Sequence, residues 1–299
     1  MFKDKINLFL FIRKIELISI AMKHLETSYQ THDGLTLSLQ AWIPDEEARA
    51  SILLVHGLGE HSSRYSHLAE KLVNEGVSVF TFDGRGHGKS VSKPTAFFER
   101  YEDYLKDIDA LYEKIKNYVP QKPSFIFGHS MGGGLVAAYA LSFSPNTDGV
   151  LLSAPALKPD PKVSPLLIGI SSIVSMVAPK LKVLKLDATK ISRDEREVQK
   201  YKMDPLVYQG AIPARTGSEL LKMMQSIREK STNFKYPILL MHGTNDQMTN
   251  PLGTEEFFRS IQSKDKTFHR YEGLYHELIN ELEKESVIQD IVDWLNERI

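Results

Sequence analysis

Short apolar runs recur along the chain at a spacing that leaves room for a helix between most of them. Ser51–His56 (SILLVH), Val77–Phe82 (VSVFTF), Ser124–Phe127 and Gly149–Leu152 are too short for helices and apolar nearly throughout rather than at alternate positions. Such runs suit strands buried on both faces of a parallel sheet. Helical patterns fall at about Ser63–Glu75, Tyr101–Tyr118 and Met131–Phe143. Two further strands, Tyr236–Met241 and Lys266–Tyr271, follow, with helices near Thr254–Ile261 and Lys284–Arg298. Repeated β-α-β units impose right-handed crossovers, so the expected class is α/β, a mostly parallel sheet flanked by helices. Leu35–Trp42 instead alternates apolar and polar residues, as a half-exposed antiparallel strand would.

The rhythm fails between about Ala156 and Thr232, where no strand is clear and prolines stand at 159, 161, 165, 179, 205 and 213. This stretch is expected to be a helical cap, residues 156–232, inserted into a core made of 23–155 and 233–299. Within it Pro165–Val177 (PLLIGISSIVSMV) is apolar nearly all round. Such a helix must be buried or must face lipid or a greasy substrate, which makes Ile170 and Ile173 candidates for that contact.

Composition removes several function classes. A chain of 299 residues, 42% hydrophobic and 25% charged, suits one α/β domain with an insertion. A net charge of -1 gives no reason to expect nucleic acid as a partner. The 10 histidines show no metal-ligand spacing, so neither a metal nor another cofactor is expected. The absence of cysteine removes disulfides, thiolate metal sites and cysteine catalysis together. It is compatible with a reducing cytoplasm, the expected location, with peripheral membrane contact through the cap. Residues 1–22 read as an extension outside the fold. Lys3 and Lys5 precede an apolar run, Ile6–Ile12, that Arg13, Lys14 and Glu16 break before it resembles a signal peptide. A membrane-surface anchor is the alternative for this segment.

Gly128-His129-Ser130-Met131-Gly132 fits G-x-S-x-G. By itself the pattern would arise by chance in about one chain in ten of this length. Its context is what counts: it follows the apolar strand SFIF and opens a helix, as a nucleophile elbow requires. A serine hydroxyl needs a base held in the right tautomer by a third group. In this arrangement the chain order is Ser, acid, His, with acid and base on loops after late strands. Asp246, in the loop after Pro237–Met241, and His276, in the loop after Lys266–Tyr271, fill those places. His242 and His269 are rival bases and Asp265 a rival acid. His56-Gly57-Leu58-Gly59 follows the strand that supplies one oxyanion amide in this scheme, so the backbone N–H groups of Leu58 and Met131 are the expected oxyanion hole.

With these residues in place, the chain resembles the monoacylglycerol lipase and lysophospholipase group of the α/β-hydrolases. The matching stretches are His56–Tyr65 (HGLGEHSSRY), Phe82–Ser90 (FDGRGHGKS), Gly128–Gly133 (GHSMGG), Asp204–Leu206 (DPL), His242–Asp246 (HGTND) and Tyr271–His276 (YEGLYH). The likeness runs from roughly Ser28 to the C-terminus. It implies an eight-stranded α/β-hydrolase fold, hydrolysis of a lipid ester, most of all a monoacylglycerol or lysophospholipid, and a cap that forms the acyl channel. It also implies that Glu60, Arg64 and His129 support the site and the polar head of the substrate. Two departures stand out. Mammalian monoacylglycerol lipases carry cysteines near the site, and Thr249 stands at one such position. They also carry a head-group histidine where Ile279 stands.

Other readings stay open. A short-chain carboxylesterase or aminopeptidase would use the same triad, an acyltransferase would pass the acyl group to an alcohol, and a binding module would keep the fold without the chemistry. Dehalogenase and epoxide hydrolase chemistry would want an aspartate at position 130. The Asp83–Ser90 string lacks phosphate-loop spacing and reads as a tight structural turn.

Overall fold

The computed structural model describes residues 22–90, 94–159 and 172–299. In chain order the main sheet is built from β1 (Met22–Gln30), β2 (Thr36–Pro44), β3 (Ala50–Val55), β4 (Val77–Phe82), β5 (Ser124–His129), β6 (Gly149–Ser153), β9 (Ile238–Gly243) and β10 (Lys266–Tyr271). Their spatial order is β1-β2-β4-β3-β5-β6-β9-β10. β2 pairs antiparallel with β1 and β4, and every other pairing is parallel. This is the mostly parallel eight-stranded sheet of the α/β-hydrolase fold.

The central strands are apolar on both faces because helices cover both. Leu53, Val55, Ile126, Val150 and Leu240 point to the side of α2 (Tyr101–Tyr118) and α3 (Met131–Phe143). Ile52, Leu54, Phe125, Phe127, Leu151 and Leu239 point to α1 (Ser66–Asn74) and α7 (Lys284–Asn296). β1 carries no legible pattern because it is an edge strand exposed along nearly its whole length. Met22, expected to close the N-terminal extension, is instead the first residue of β1, paired with Pro44. Residues 1–21, and the remainder of the expectation about them, lie outside the described residues.

Between β6 and β9 the chain leaves the sheet. This segment holds α4 (Glu195–Met203), α5 (Ala214–Lys230), a helical turn over 172–177 and a two-stranded antiparallel ribbon. The ribbon, β7 (Lys182–Lys185) with β8 (Ala211–Pro213), corrects the expectation that this stretch lacks strands. Strands of four and three residues are too short for alternation to be read. The start of the expected Pro165–Val177 helix, with Ile170, lies outside the described residues. α6 (Pro251–Ser260) starts three residues earlier than expected, because Asn250 caps it and Pro251 takes its first position. Among the described residues no helix is long and apolar enough to cross a membrane.

Candidate active site

Ser130 stands at the turn from β5 into α3 with φ 55° and ψ −118°, a conformation a non-glycine residue rarely adopts. The turn is tight because glycines permit it. A Cβ on Gly128 would lie 2.5 Å from the Gly132 carbonyl oxygen, and one on Gly132 would lie 2.5 Å from that of His56. The strain is held by the Ser130 amide donating to Ser153 O at 3.0 Å and by its carbonyl accepting from Ala156 N at 2.9 Å. The side chain is left half-buried at the N-terminus of α3, where developing negative charge is favoured.

His276, 4% exposed, donates from Nδ1 to Asp246 Oδ2 at 2.7 Å. Asp246 Oδ1 accepts from the amides of Met248 at 2.7 Å and Thr249 at 3.1 Å. Burial opposes the Asp246 charge, but the facing His276 and the bonds from His242 and His276 hold its carboxyl well below the usual carboxylate range. Burial likewise opposes a charge on His276, and Asp246 outweighs it, so the imidazole is held above its ordinary value. Among the described residues no hydrogen bond joins Ser130 to His276, although both line one small recess. Such bonds are often long in a free enzyme and tighten on substrate.

Two amides are available for an oxyanion. Among the described residues, neither Leu58 N–H nor Met131 N–H has an acceptor. The loop carrying Leu58 is braced from both ends. Glu60 Oε1 accepts from Gly57 N at 2.6 Å and from Tyr65 OH at 2.6 Å. His56 accepts from Gly84 N at Nε2 (2.9 Å), which leaves its Nδ1 proton to donate to Gly57 O (2.7 Å). The Asp83–Ser90 turn is therefore structural support for this loop. Asp83 also accepts from the Ser62 and Lys89 amides, while Arg85 pairs with Asp33 and Asp107.

Ser130 opens on two unlike spaces. One is a cavity of about 290 Å³ lined by Leu58, Met131, Val174, Ile212, Leu221 and Met224. The other is the small recess bounded by Glu60, His129, Tyr201, His276 and Glu277. A larger groove of about 550 Å³ between α5 and α6 reaches none of Ser130, Asp246 and His276.

The recess is strongly charged. Arg64 Nη2 donates to Glu277 Oε2 at 2.6 Å, Arg64 Nε lies 3.8 Å from Glu60 Oε2, and the guanidinium sits 4.6 Å over the Tyr201 ring. Burial and the Glu60 charge push the Glu277 carboxyl up, with Arg64 opposing. Glu60, held by two donors as well as by Arg64, stays below its ordinary value despite its burial. His129 packs its ring 4.7 Å from that of His276 and gives its Nδ1 proton to Ser153 O at 3.1 Å. Burial, then the neighbouring His276, push it down to about 3, so it is neutral at working pH.

The structure thus brings together Ser130, Asp246, His276, Leu58, Met131, Glu60, Arg64 and His129. It does not bring Ile279, which is 4% exposed and packed in the core with Leu278, Val287 and Ile291. Ile173 is 64% exposed, on the outside of its helical turn, while its neighbour Val174 lines the cavity. Among the rivals, His269 bonds Asp290 on the sheet edge and Asp265 pairs with Arg298. His242 bonds the candidate acid itself. Sequence reasoning missed Glu277. A carboxylate directly after the expected base was the available signal, but its partner Arg64 lies 213 positions away.

Comparison with known proteins agrees with this architecture. The sequence profile of the family described as serine aminopeptidase, S33, matches residues 46–283. A monoacylglycerol lipase of Mycolicibacterium smegmatis is 33% identical over 90% of this chain and 96% of its own. The monoglyceride lipase of Rattus norvegicus is 30% identical over 89% of each chain. The crystal structure of Paleococcus ferrophilus monoacylglycerol lipase superposes with a TM-score of 0.77 at 31% identity, covering 93% of this chain and 100% of that one.

Proposed function

The chain belongs to the serine aminopeptidase S33 family and to the monoacylglycerol lipase group of the α/β-hydrolase superfamily, is a carboxylic ester hydrolase, and on that footing we propose that it cleaves long-chain monoacylglycerols through an acyl-enzyme on Ser130. Ser130 attacks the ester carbonyl while His276 takes its proton. The oxyanion rests on the amides of Leu58 and Met131, and Asp246 stays ionised to keep the His276 proton on Nδ1. His276 then protonates the leaving glycerol, and water activated by the same imidazole releases the fatty acid.

The observation that carries the substrate class is the pair of unlike spaces at Ser130. An apolar cavity of about 290 Å³ on one side and, on the other, a carboxylate-lined recess of about 20 Å³, room for a hydroxyl rather than a whole head group, suit a molecule with one acyl chain and a hydroxylated head. A triacylglycerol would press apolar chains into the recess. A lysophospholipid would bring its phosphate toward Glu60 and Glu277, two carboxylates against the one guanidinium of Arg64. Glu277 Oε1 accepts from no donor among the described residues, which leaves it for a substrate hydroxyl. Residues 156–232 act as the cap over the acyl cavity. The outer face of that segment exposes Ile173, Met176 and Val177 by 64%, 77% and 80%, which supports peripheral contact with a lipid surface in the cytoplasm.

The test is a matched panel with pure protein: a long-chain monoacylglycerol, the methyl ester of the same acid, a lysophosphatidylcholine, a triacylglycerol and a p-nitrophenyl ester. The monoacylglycerol is expected to lead, and Glu277→Val to erase its advantage over the methyl ester. Ser130→Ala should abolish turnover of every member without changing the melting curve. More than a trace of activity in Ser130→Ala would remove the nucleophile assignment, whereas activity confined to the activated ester would demote the protein to a carboxylesterase.

A further inference from the structure

Asp246 Oδ2 is approached by two imidazoles. Besides His276, His242 at the end of β9 holds its Nε2 3.1 Å from that oxygen. His242 is 1% exposed, and its other nitrogen, Nδ1, lies 2.7 Å from the hydroxyl of Thr254 on α6, itself fully buried. An ionised carboxylate only accepts, so Nε2 carries a proton and donates to Asp246, while the Thr254 hydroxyl, able to donate or accept, holds Nδ1.

We infer that His242 is a positioning residue for the reaction: by donating to the same carboxylate oxygen as His276, it fixes the plane of Asp246 and limits how strongly that oxygen holds the His276 proton. The inference rests on the triad proposed above. A carboxylate turns about its Cβ–Cγ bond unless both oxygens are held. Oδ1 is held by the Met248 and Thr249 amides. Oδ2 has His276, His242 and the Thr249 hydroxyl, and that hydroxyl has one proton to divide between Asp246 at 2.8 Å and Ala154 O at 3.0 Å. His276 gains and loses a charge in every cycle, so it is a poor anchor for the group that orients it. His242, locked between Asp246 and Thr254, provides an anchor outside the reaction.

The second consequence is electrostatic. Each donor to a carboxylate lowers its basicity, so His242 restrains the rise that Asp246 imposes on His276. The other titratable groups facing His276 are neutral His129 from β5, Glu277 beside it and Glu60 from the loop after β3, with Arg64 between the two glutamates. None of them hydrogen-bonds His242. Removing His242 therefore acts on His276 through Asp246 and through the Thr249 hydroxyl, which lies 3.3 Å from His242 Nε2, 2.8 Å from Asp246 Oδ2 and 3.4 Å from His276 Nδ1.

Three variants test this: His242→Leu, His242→Gln and Thr254→Val, each assayed for kcat, KM, the pH profile of kcat/KM on a p-nitrophenyl ester, and thermal melting. His242→Leu is expected to lower kcat roughly tenfold or more with KM nearly unchanged. Its acid limb should move to higher pH by roughly half a unit, because Asp246 then acts on His276 undiminished. His242→Gln, whose amide can donate to Oδ2, should recover most of the rate and return the limb to its original position. Thr254→Val should fall between the two. If His242→Leu does not fold, the other two variants carry the comparison. Wild-type kcat and limb in His242→Leu would overturn the inference. So would a His242→Gln variant that melts normally yet is as slow as His242→Leu, or, with no folded leucine variant, one that is slow while Thr254→Val is unaffected. Failure of the triad itself has a different signature: His276→Ala would retain turnover, whatever the His242 variants do.

Discussion

Replacing Gly132 by alanine perturbs the distance on which the proposed oxyanion hole depends. Gly132 lies in the first turn of α3, and its Cα faces the end of β3 where the oxyanion loop begins. A Cβ there would sit 2.5 Å from His56 O and 2.7 Å from the Val55 carbonyl carbon, with Val55 O closer still. All three are backbone atoms, so no side chain can swing aside. Ordinary contact begins near 3.4 Å, so relieving the His56 O contact alone takes about 0.9 Å, and the closer Val55 O requires α3 and β3 to part by more than that. That motion carries the Met131 amide away from the Leu58 amide, and a misplacement of about 1 Å at a reacting centre costs on the order of 100-fold in rate. Overpacking of this kind also costs about 1–3 kcal/mol of stability, a fall of several degrees in Tm for a domain of this size. The assay is steady-state hydrolysis of a soluble p-nitrophenyl ester at a temperature where circular dichroism shows the variant folded. The expected result is a kcat lower by about two orders of magnitude with KM little changed. A folded Gly132→Ala protein with wild-type kcat would refute the claim that the two amides act as a pair at fixed separation.

Two further expectations follow from the same site. Because Asp246 holds His276 above its ordinary value of 6.5, the acid limb of kcat/KM should lie above pH 6.5. Asp246→Asn removes that charge, burial then prevails, and the limb should move to lower pH while kcat falls by about 10⁴. A limb that stays in place would show that Asp246 does not govern His276. On the cap side, a Cβ on Gly217 of α5 would meet nothing within 4 Å, and the residue lines the apolar cavity. Gly217→Leu should cut turnover of long-chain monoacylglycerols about tenfold or more relative to short-chain ones, and an unmoved chain-length profile would mean that the acyl group lies elsewhere.

The helix Tyr101–Tyr118 matches its expected bounds because its apolar residues recur at one helical period, and Met131–Phe143, buried on every side over its first ten residues, matches because a glycine-rich turn precedes it. The glycines around Ser130 imply a close backbone approach, and the structure has one at that turn. Chain order and the strands preceding them mark Asp246 and His276 as the candidate acid and base, and the structure joins the two side chains at 2.7 Å. The ribbon β7–β8 and the edge strand β1 escaped because one is too short and the other too exposed to leave a periodic trace.

The sequence by itself determined the class of sheet, the elbow and the residue types needed for acyl transfer, since each is written in a run of neighbouring residues whose backbone requirements are local. Tertiary structure decided which side chains share a boundary. It turned Ile279 into the core although it stands three positions from His276, and it brought Arg64 onto Glu277 across 213 positions. It also set His242, which read from the sequence as a rival base, against the carboxylate that serves His276. Those outcomes depend on the parallel register of β9 beside β10 and on how the loop after β3 packs on the turn after β10. Pairings of that kind are fixed by the burial of whole strands and helices, and no single stretch of chain records them.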